Sequence, residues 1–320
     1  MRILVTGASG LLGINLALEA ARIGLPHQPA AGQGTHTVYG VVNRHTLRTD
    51  AFRVIRADLL VPGVLEKVLE ETRPDWVIHC AALALVDACE NEPDLARQLN
   101  IEVPRKLAAL VARGGARLLH ISTDAVFDGK RGDYSEEDLP NPLSVYGATK
   151  LAGEKAVAEA NPEALIARVN MYGWSLSGER SLAEWFFYNI RAGNRVKGFT
   201  DVYFCPLLVN DLAGILLKML SLGLNGLYHA VSSECITKYD FGVALAQQFG
   251  LDENLIAPCS VAEGGLKAIR SPRLTLKSDK LAGVLGAPLP SLSPGLERFS
   301  TLYQQGYPQR LREMGRGDKG

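Results

Sequence analysis

MRILVTGASGLLG, the first 13 residues of this 320-residue chain, places three glycines directly after a short apolar run and before a helical pattern. Gly7 permits a tight turn, Gly10 lets the backbone approach a ligand, and Gly13 lets a helix pack closely on the strand. The first turn of that helix offers free N–H groups and the positive end of its dipole. The stretch therefore predicts a phosphate-binding turn between the first strand and the first helix, with contacts from Gly7, Gly10, Leu11, Leu12 and Gly13.

Short apolar runs alternate with helical stretches through the first half of the chain. Continuous apolar strands separated by helices are what a parallel sheet covered on both faces requires. The pattern predicts an α/β fold with a doubly wound parallel sheet of the Rossmann type. Strands are predicted at residues 3–6, 38–42, 52–55, 76–79, 118–122 and 165–167, and helices at 11–23, 64–71 and 94–112.

The end of the second strand distinguishes the two nicotinamide dinucleotides. An acidic residue there accepts hydrogen bonds from the ribose 2′-OH of NAD, whereas an arginine accommodates the 2′-phosphate of NADP. The chain has Asn43-Arg44 at this point and no carboxylate before Asp50. Because Arg44 can present two N–H donors to a phosphate, NADPH is the predicted cofactor, with contacts from Asn43 and Arg44. A solvated charge at Arg44, with NADH as the cofactor, is the alternative.

Small residues follow the fourth predicted strand. They would let a dinucleotide cross the edge of the sheet, so cofactor contacts are predicted at Cys80, Ala81 and Ala82. No reactive partners accompany Cys80 in the sequence, and it is predicted to be a packing residue rather than a reactive thiol.

The second half of the chain is less regular. A helical run at 211–220 and a strand at 227–230 predict that residues of about 207–231 return to the sheet. The dinucleotide-binding domain is then predicted at 1–169, and a smaller substrate domain at 170–206 and 232–313. Residues 25–35 have neither a helical nor a strand period, and a surface loop is expected there. Residues 314–320 are expected to form a frayed tail.

Composition and charge restrict the classes of partner. Lys+Arg 34 balances Asp+Glu 34, so no global basic field would attract nucleic acid or an anionic membrane. The five cysteines lack a CxxC spacing and the six histidines are dispersed, which predicts reduced thiols and no metal site. The start lacks the features of a signal peptide, and the apolar run at 212–220 is too short to span a membrane. We therefore expect a cytoplasmic protein with a small-molecule ligand.

Tyr146 and Lys150 form a YxxxK element. A spacing of four residues places both side chains on one face of a helix, one turn apart. A phenol of pKa near 10 is a poor acid–base group at neutral pH until a neighbouring ammonium stabilises its phenolate. The fifth strand ends in Ser122-Thr123, which supplies a hydroxyl at the same edge of the sheet. The set predicts carbonyl reduction, with Tyr146 giving a proton to the oxygen while a hydride reaches the carbon.

Five motifs together resemble the extended short-chain dehydrogenase/reductases, and in particular their dTDP-4-dehydrorhamnose reductase branch. The resemblance covers nearly the whole chain and is dense to about residue 155. The motifs are TGASGLLG (6–13), VDACENEP (86–93) with Asn100, STDAVFDG (122–129), VYGATKLAGE (145–154) and LKSDKL (276–281).

This resemblance implies NADPH-dependent reduction of a 4-keto, nucleotide-linked deoxysugar. By the match of motifs, Thr123, Tyr146 and Lys150 are the catalytic residues. The adenine contacts fall on Asp58 and Leu59, and the substrate contacts on Val86 and Asp124.

One position departs from the branch. Where its members commonly carry a tryptophan that lines the sugar pocket, this chain has Val169-Asn170-Met171 and reaches Trp174 only later. Asn170 resembles the substrate-contacting asparagine of sugar-nucleotide epimerases, so it is predicted to contact the substrate. A turn residue that caps the sixth strand is the alternative.

Three other functions remain open on the same fold. A sugar-nucleotide dehydratase would carry a glutamate where Ala125 stands, and an epimerase that retains NAD would favour an acid at Asn43-Arg44. A non-catalytic NADP-binding regulatory subunit is the third alternative, since the beta subunit of methionine adenosyltransferase is similar to this branch. The sequence also leaves open the nucleotide, the sugar, the stereochemistry and whether the chain forms a homodimer.

A proline-stiffened basic segment, Arg270-Ser271-Pro272-Arg273, is the best candidate for contacts with the substrate diphosphate. Two guanidinium groups suit bidentate phosphate recognition, and Arg270 is accordingly predicted to bind the substrate. An exposed basic loop is the alternative.

Overall fold

A seven-stranded parallel sheet forms the centre of the computed structural model, which describes residues 1–22, 36–263 and 271–316. In spatial order the strands run β7-β6-β5-β4-β1-β2-β3, and each neighbouring pair is parallel. The predicted doubly wound α/β sheet is confirmed. The strands are β1 (Arg2–Thr6), β2 (Thr37–Val42), β3 (Arg53–Arg56), β4 (Trp76–His79), β5 (Arg117–Thr123), β6 (Leu165–Val169) and β7 (Gly226–Ala230).

Helices cover both faces of the sheet because alternate strand residues point to opposite sides. Ile3 and Val5 belong to one apolar cluster, and Leu4, between them, belongs to the other. The helices are α1 (Leu11–Arg22), α2 (Val64–Thr72), α3 (Val86–Asn91), α4 (Pro93–Arg97), α5 (Val103–Gly114), α6 (Val145–Ala160), α7 (Leu182–Arg191), α8 (Val209–Ser221), α9 (Lys238–Phe249), α10 (Asp279–Leu285), α11 (Leu292–Gln304) and α12 (Tyr307–Gly315).

The strand predicted at 227–230 is confirmed as β7, which lies parallel to β6 at the edge of the sheet. Short strand pairs occur in the second half: Met171–Tyr172 with Leu207–Leu208, Tyr203–Phe204 with Ile236–Thr237 and Arg273–Leu274, and Val196–Phe199 with Ile256–Cys259. The residue limits of the two predicted domains stay a prediction, and the loop expected at 25–35 lies outside the described residues.

The helix predicted at 94–112 is interrupted. A π-helical turn, Gln98–Glu102, separates α4 from α5. Its buried Asn100 carboxamide accepts a hydrogen bond from Leu83 N (2.9 Å) and donates to Leu83 O (3.1 Å). Helix α6 also approaches so closely that a Cβ on Gly153 would lie 2.1 Å from the Asn100 carbonyl oxygen. The wider turn accommodates both contacts, as π-turns often do near functional sites.

The expectation that all five cysteines are reduced is wrong, because the structure joins Cys205 and Cys235 in a disulfide. Cys205 follows the strand Tyr203–Phe204, and Cys235 precedes the antiparallel strand Ile236–Thr237. The pairing of these strands brings the two Cα atoms within 4.0 Å. A separation of 30 residues carries no spacing signal, so the sequence alone could not reveal the bond.

The prediction that a frayed tail begins at residue 314 is wrong in its first residues. Helix α12 continues to Gly315, and the Met314 side chain packs against the main apolar cluster. The Met314 carbonyl accepts a hydrogen bond from Arg48 N at 2.9 Å. Residues 317–320 lie outside the described part of the chain.

Across the described ranges, no helix is both long enough and apolar enough to cross a lipid bilayer.

A buried ion pair joins α6 to the sheet. Arg168 on β6 donates from Nη2 to Glu154 Oε2 at 2.7 Å and from Nε to Glu154 Oε1 at 2.9 Å. The Ser122 hydroxyl, on β5, donates to the same carboxylate. Because both charged side chains are buried, each depends on the other for compensation.

We expect Glu154→Gln to lower the free energy of unfolding by about 3–5 kcal/mol, since it leaves the Arg168 guanidinium buried without its counter-charge. Chemical denaturation measures the change. Glu159→Gln, at an exposed position of the same helix, is the matched control and should lie within about 0.5 kcal/mol of the parent. Equal stability of the two variants would contradict the assignment.

Candidate active site

The predicted catalytic residues meet at the carboxyl edge of the sheet. Thr123 ends β5, and α6 begins 22 residues later, at Val145. The Ser144 side chain caps this helix by accepting from Gly147 N at 3.1 Å. A Cβ on Gly147 would lie 2.2 Å from the Ala125 carbonyl oxygen, so only glycine allows this approach. The close contact leaves the Tyr146 phenol beside Thr123, whose hydroxyl influences the pKa of the phenol.

A cavity of about 460 Å³, which we call the catalytic cavity, contains all three residues in its lining. Asp124 and Asn170, both predicted to contact the substrate, line it as well. Part of the glycine turn lines the same cavity, through Gly10, Leu11, Leu12 and Gly13.

Tyr146 is held in its neutral form. Burial raises the pKa of its phenol to about 12, the charge of Asp124 adds to the rise, and the hydrogen bond with Thr123 opposes it. The sequence led us to expect the opposite shift, caused by the Lys150 ammonium. That ammonium instead donates to the Ile121 carbonyl at 2.7 Å. A neutral phenol is the form that can donate a proton.

Lys150 lies above two buried histidines. Its Nζ is 3.5 Å from His120 Nε2, and the rings of His79 and His120 stack at 5.5 Å. His79 Nδ1 is 2.7 Å from Thr6 Oγ1. Burial and the Lys150 charge lower the pKa of His79 to about 3 and that of His120 well below its usual range, so both rings are neutral.

Burial also lowers the pKa of Lys150 to about 8, against the opposing charge of Glu154. The lysine therefore binds its proton less tightly in the folded chain than in the unfolded chain. The free energy of unfolding is penalised below pH 8 and recovers as the pH rises towards 10.5, the ordinary lysine value.

Lys150→Met should remove this penalty. We expect the variant to be more stable than the parent at pH 7 by at most about 3 kcal/mol, and the gap to narrow by about 2 kcal/mol at pH 9.5. Denaturant unfolding at the two pH values measures the gap. Lys155→Met, at an exposed position of the same helix, is the control. A gap that does not depend on pH would show that Lys150 titrates normally.

Asp124 and Asn170 form a pair at the cavity wall. The Asn170 carboxamide donates to Asp124 Oδ2, and the Thr123 hydroxyl donates to Asp124 Oδ1 at 3.0 Å. Burial raises the pKa of Asp124, and these two hydrogen bonds oppose the rise. The Asn170 side chain is thus bonded to Asp124 in the cavity wall, and its contact with a substrate stays a prediction.

A second cavity of about 250 Å³, the adenosine cavity, continues along the sheet edge. Gly7 adopts φ +69° at its inner end, and a Cβ there would lie 2.7 Å from Ala81 N. Burial raises the pKa of the Cys80 thiol to about 12, as expected for a packing residue. The adenosine cavity is lined by predicted cofactor contacts, namely Gly7, Gly10, Asn43, Asp58, Leu59, Cys80, Ala81 and Ala82.

Three residues singled out in the sequence line neither cavity, and a fourth cannot be placed. Arg44 is exposed and follows Asn43, which lines the adenosine cavity. Val86 is the first residue of α3, and the preceding residue, Leu85, lines the catalytic cavity instead of Val86. Arg270 lies outside the described residues. The Arg273 guanidinium stacks over the Tyr203 ring at 5.2 Å and lines neither cavity.

Sequence reasoning missed two features. One is Arg180, which lines both the adenosine and the catalytic cavities. The other is an open cavity of about 470 Å³ beside α7, the aromatic–basic cavity, which is lined by Leu182, Trp185, Phe186, Asn189, Arg195, Val196, Lys197, Phe199 and Lys238. The spacing of Arg195 and Lys197, two residues apart at the start of the strand Val196–Phe199, was the available signal. Among the described residues, no group of three or more His, Cys, Asp or Glu side chains is placed to hold a metal ion.

The fold and the site together define an extended short-chain dehydrogenase/reductase, a class of NAD(P)-dependent oxidoreductases. Comparison with family models gives the particular family: the chain belongs to the family described as the RmlD substrate binding domain, which matches residues 1–305. The resemblance stated from the motifs is confirmed.

The chain is similar to three further proteins of known name. A probable low-salt glycan biosynthesis reductase, Agl14, of Haloferax volcanii is 33% identical over 93% of this chain and 97% of its own. Methionine adenosyltransferase 2 subunit beta of Bos taurus is 33% identical over 80% of this chain and 75% of its own. The crystal structure of dTDP-4-dehydrorhamnose reductase from Bacillus anthracis in complex with NADP superimposes with a TM-score of 0.79 at 27% identity, covering 94% of this chain and 98% of that one.

Proposed function

We propose that this protein is an NADPH-dependent reductase of a 4-keto, nucleotide-linked deoxysugar. The observation that carries the proposal is the meeting of Thr123, Tyr146 and Lys150 in one cavity, which part of the glycine turn also lines. A proton donor, its hydroxyl partner and a cation then surround the point where a carbonyl would meet the cofactor. Similarity to reductases over nearly the full chain supports the same activity.

The cofactor would occupy the adenosine cavity and the adjoining half of the catalytic cavity. The fit rests on the glycine turn, whose helix end favours phosphates, and on the small residues that leave the sheet edge open between the two cavities. Bound there, NADPH supplies the hydride. The protein's own residues hold it: Asp58 in the adenosine cavity, Gly10 and Gly13 at the diphosphate, and Lys150 at the far end.

Proton transfer would fall to Tyr146. Its phenol, protonated at neutral pH, donates to the ketone oxygen as the carbon is reduced. Lys150 lines the same cavity, so its ammonium adds positive charge to the cavity that holds the remaining phenolate, although it donates to the Ile121 carbonyl and does not lower the pKa of the resting phenol. Thr123 orients the phenol through their hydrogen bond, and Asp124 with Asn170 present an acceptor and a donor to the sugar hydroxyls.

The aromatic–basic cavity supports a nucleotide diphosphate as the remote part of the substrate. Trp185 is 42% exposed and offers a stacking face for a base, while Arg195, Lys197 and Lys238 supply positive charge for phosphates. Lys238 connects the two sites, because it lines this cavity and its charge also lowers the pKa of Asp124. This assignment replaces the predicted Arg270–Arg273 segment as the candidate diphosphate contact.

The test is NADPH oxidation with 4-keto sugars linked to dTDP, UDP or GDP, and with the free keto-sugar. We expect turnover of a nucleotide-linked form and a kcat/KM lower by orders of magnitude for the free sugar, because binding energy from the nucleotide is lost. Tyr146→Phe should lower kcat by about 10²–10⁴ while the fold and NADPH binding survive.

Tyr172→Phe is the matched control. Tyr172 is fully buried, and its hydroxyl has no hydrogen-bond partner among the described residues, so its removal should leave kcat unchanged. Normal turnover by Tyr146→Phe would contradict the proposed proton donor. If the protein binds NADPH but reduces no sugar, the regulatory-subunit alternative takes its place, which similarity to the methionine adenosyltransferase subunit favours.

The preference for NADPH depends on Arg44 in this proposal. Arg44 is exposed and directly follows Asn43, a residue that lines the adenosine cavity. The Asn43 carbonyl accepts a hydrogen bond from Arg56 Nε at 3.3 Å. We expect Arg44→Ala to weaken NADPH binding by about 1–3 kcal/mol, the loss of a charge-assisted contact, and to affect NADH far less. Titration calorimetry with both cofactors measures this, and equal losses would refute the role of Arg44.

A further inference from the structure

Arg180 lies where three cavities meet. It lines the adenosine cavity, the catalytic cavity and a smaller space of about 110 Å³ bounded by Ser9, His45 and the end of α12. Residues of the glycine turn line each of these spaces: Ser9 and Gly10 line the adenosine cavity, Gly10 the catalytic cavity and Ser9 the smallest space. Arg180 therefore shares all three cavities with residues of the glycine turn.

Among the described residues, Arg180 is the single lysine or arginine that lines both the adenosine and the catalytic cavities. A dinucleotide that spans these two cavities must carry its diphosphate across their boundary. The glycine turn supplies N–H groups there but no full positive charge, since that turn contains no basic residue.

The backbone that carries Arg180 is rigidly held. The fully buried Glu184 carboxylate accepts from Arg180 N (3.0 Å), Ser181 N (3.2 Å) and Ser175 N (2.6 Å). Ser181 completes a capping box with Glu184 at the start of α7, and its hydroxyl donates to the Gly173 carbonyl at 2.7 Å. The segment is thus anchored to the core on its inner side.

The Arg180 side chain is left available. It is exposed, and within the described ranges its guanidinium has neither a hydrogen bond nor an ion pair. A rigid backbone that presents an unpaired guanidinium to a groove suits recognition of a phosphate, because little ordering is needed when the ligand arrives.

We propose that Arg180 clamps the diphosphate of the bound dinucleotide against the glycine turn. The proposal rests on the cofactor named under the proposed function and not on the identity of the sugar. Arg180 is then a cofactor-binding residue that lies in the segment before α7. It completes a phosphate site whose other part is the backbone of residues 7–13.

Equilibrium binding tests the clamp without turnover. The probes are NADPH, which contains the diphosphate, and 2′-AMP, which has the adenosine 2′-phosphate but no diphosphate. We expect Arg180→Gln to weaken NADPH about 10- to 100-fold, as for a lost charge-assisted contact, and to leave 2′-AMP within twofold. Arg180→Lys should recover part of the loss, and the dependence of NADPH binding on salt should become shallower in Arg180→Gln.

Arg97→Gln, which removes the same charge at an exposed position of α4, is the control and should bind both probes normally. Unchanged NADPH binding by Arg180→Gln would overturn the clamp, as would equal weakening of 2′-AMP. A loss confined to dTDP binding would also overturn it and would assign Arg180 to the substrate. If the parent protein binds no dinucleotide, both proposals fail; if it binds NADPH but reduces no sugar, only the proposed function fails.

Discussion

The buried pairing of Arg168 with Glu154 is the constraint on which the site depends. Each charge would be costly to bury alone, and the two parallel hydrogen bonds permit only one relative placement of β6 and α6. Ser122 adds β5 to the same carboxylate. Lys150 lies one helical turn before Glu154 on α6. The Arg168–Glu154 pair therefore also determines where the catalytic side chains of α6 lie along the edge of the sheet.

Most of the fold could be predicted because its signals are local. Apolar runs and the glycine turn between β1 and α1 determine where strands begin and which faces are covered, and these depend on neighbouring residues. The interruption at Gln98–Glu102 could not be predicted, since its cause is the approach of Gly153 from a helix fifty residues away. The Cys205–Cys235 bond is hidden for the same reason: it follows from strand pairing and not from spacing.

The sequence could predict which candidate site residues lie together where a motif places them on one element or at adjacent strand ends. Thr123, Tyr146 and Lys150 belong to this group, and the structure brings them together. Arg180 has no such signal, because its position depends on an anchor of the following helix to the core. The expected pKa shift of Tyr146 was wrong because sequence spacing places the lysine nearby but cannot show that its ammonium donates to the Ile121 carbonyl.

The π-helical turn at Gln98–Glu102 makes one wall of the catalytic cavity sensitive to chain length. Each residue of an α-helix advances the chain by about 100°. Deletion of one residue within this turn would let α4 and α5 merge, and it would rotate everything before it by roughly that angle. Asn100 would leave Leu83, and the cavity-lining residues that follow Leu83 would lose their anchor. A library of point substitutions would never sample this change, whereas a library of single-codon deletions would find it immediately.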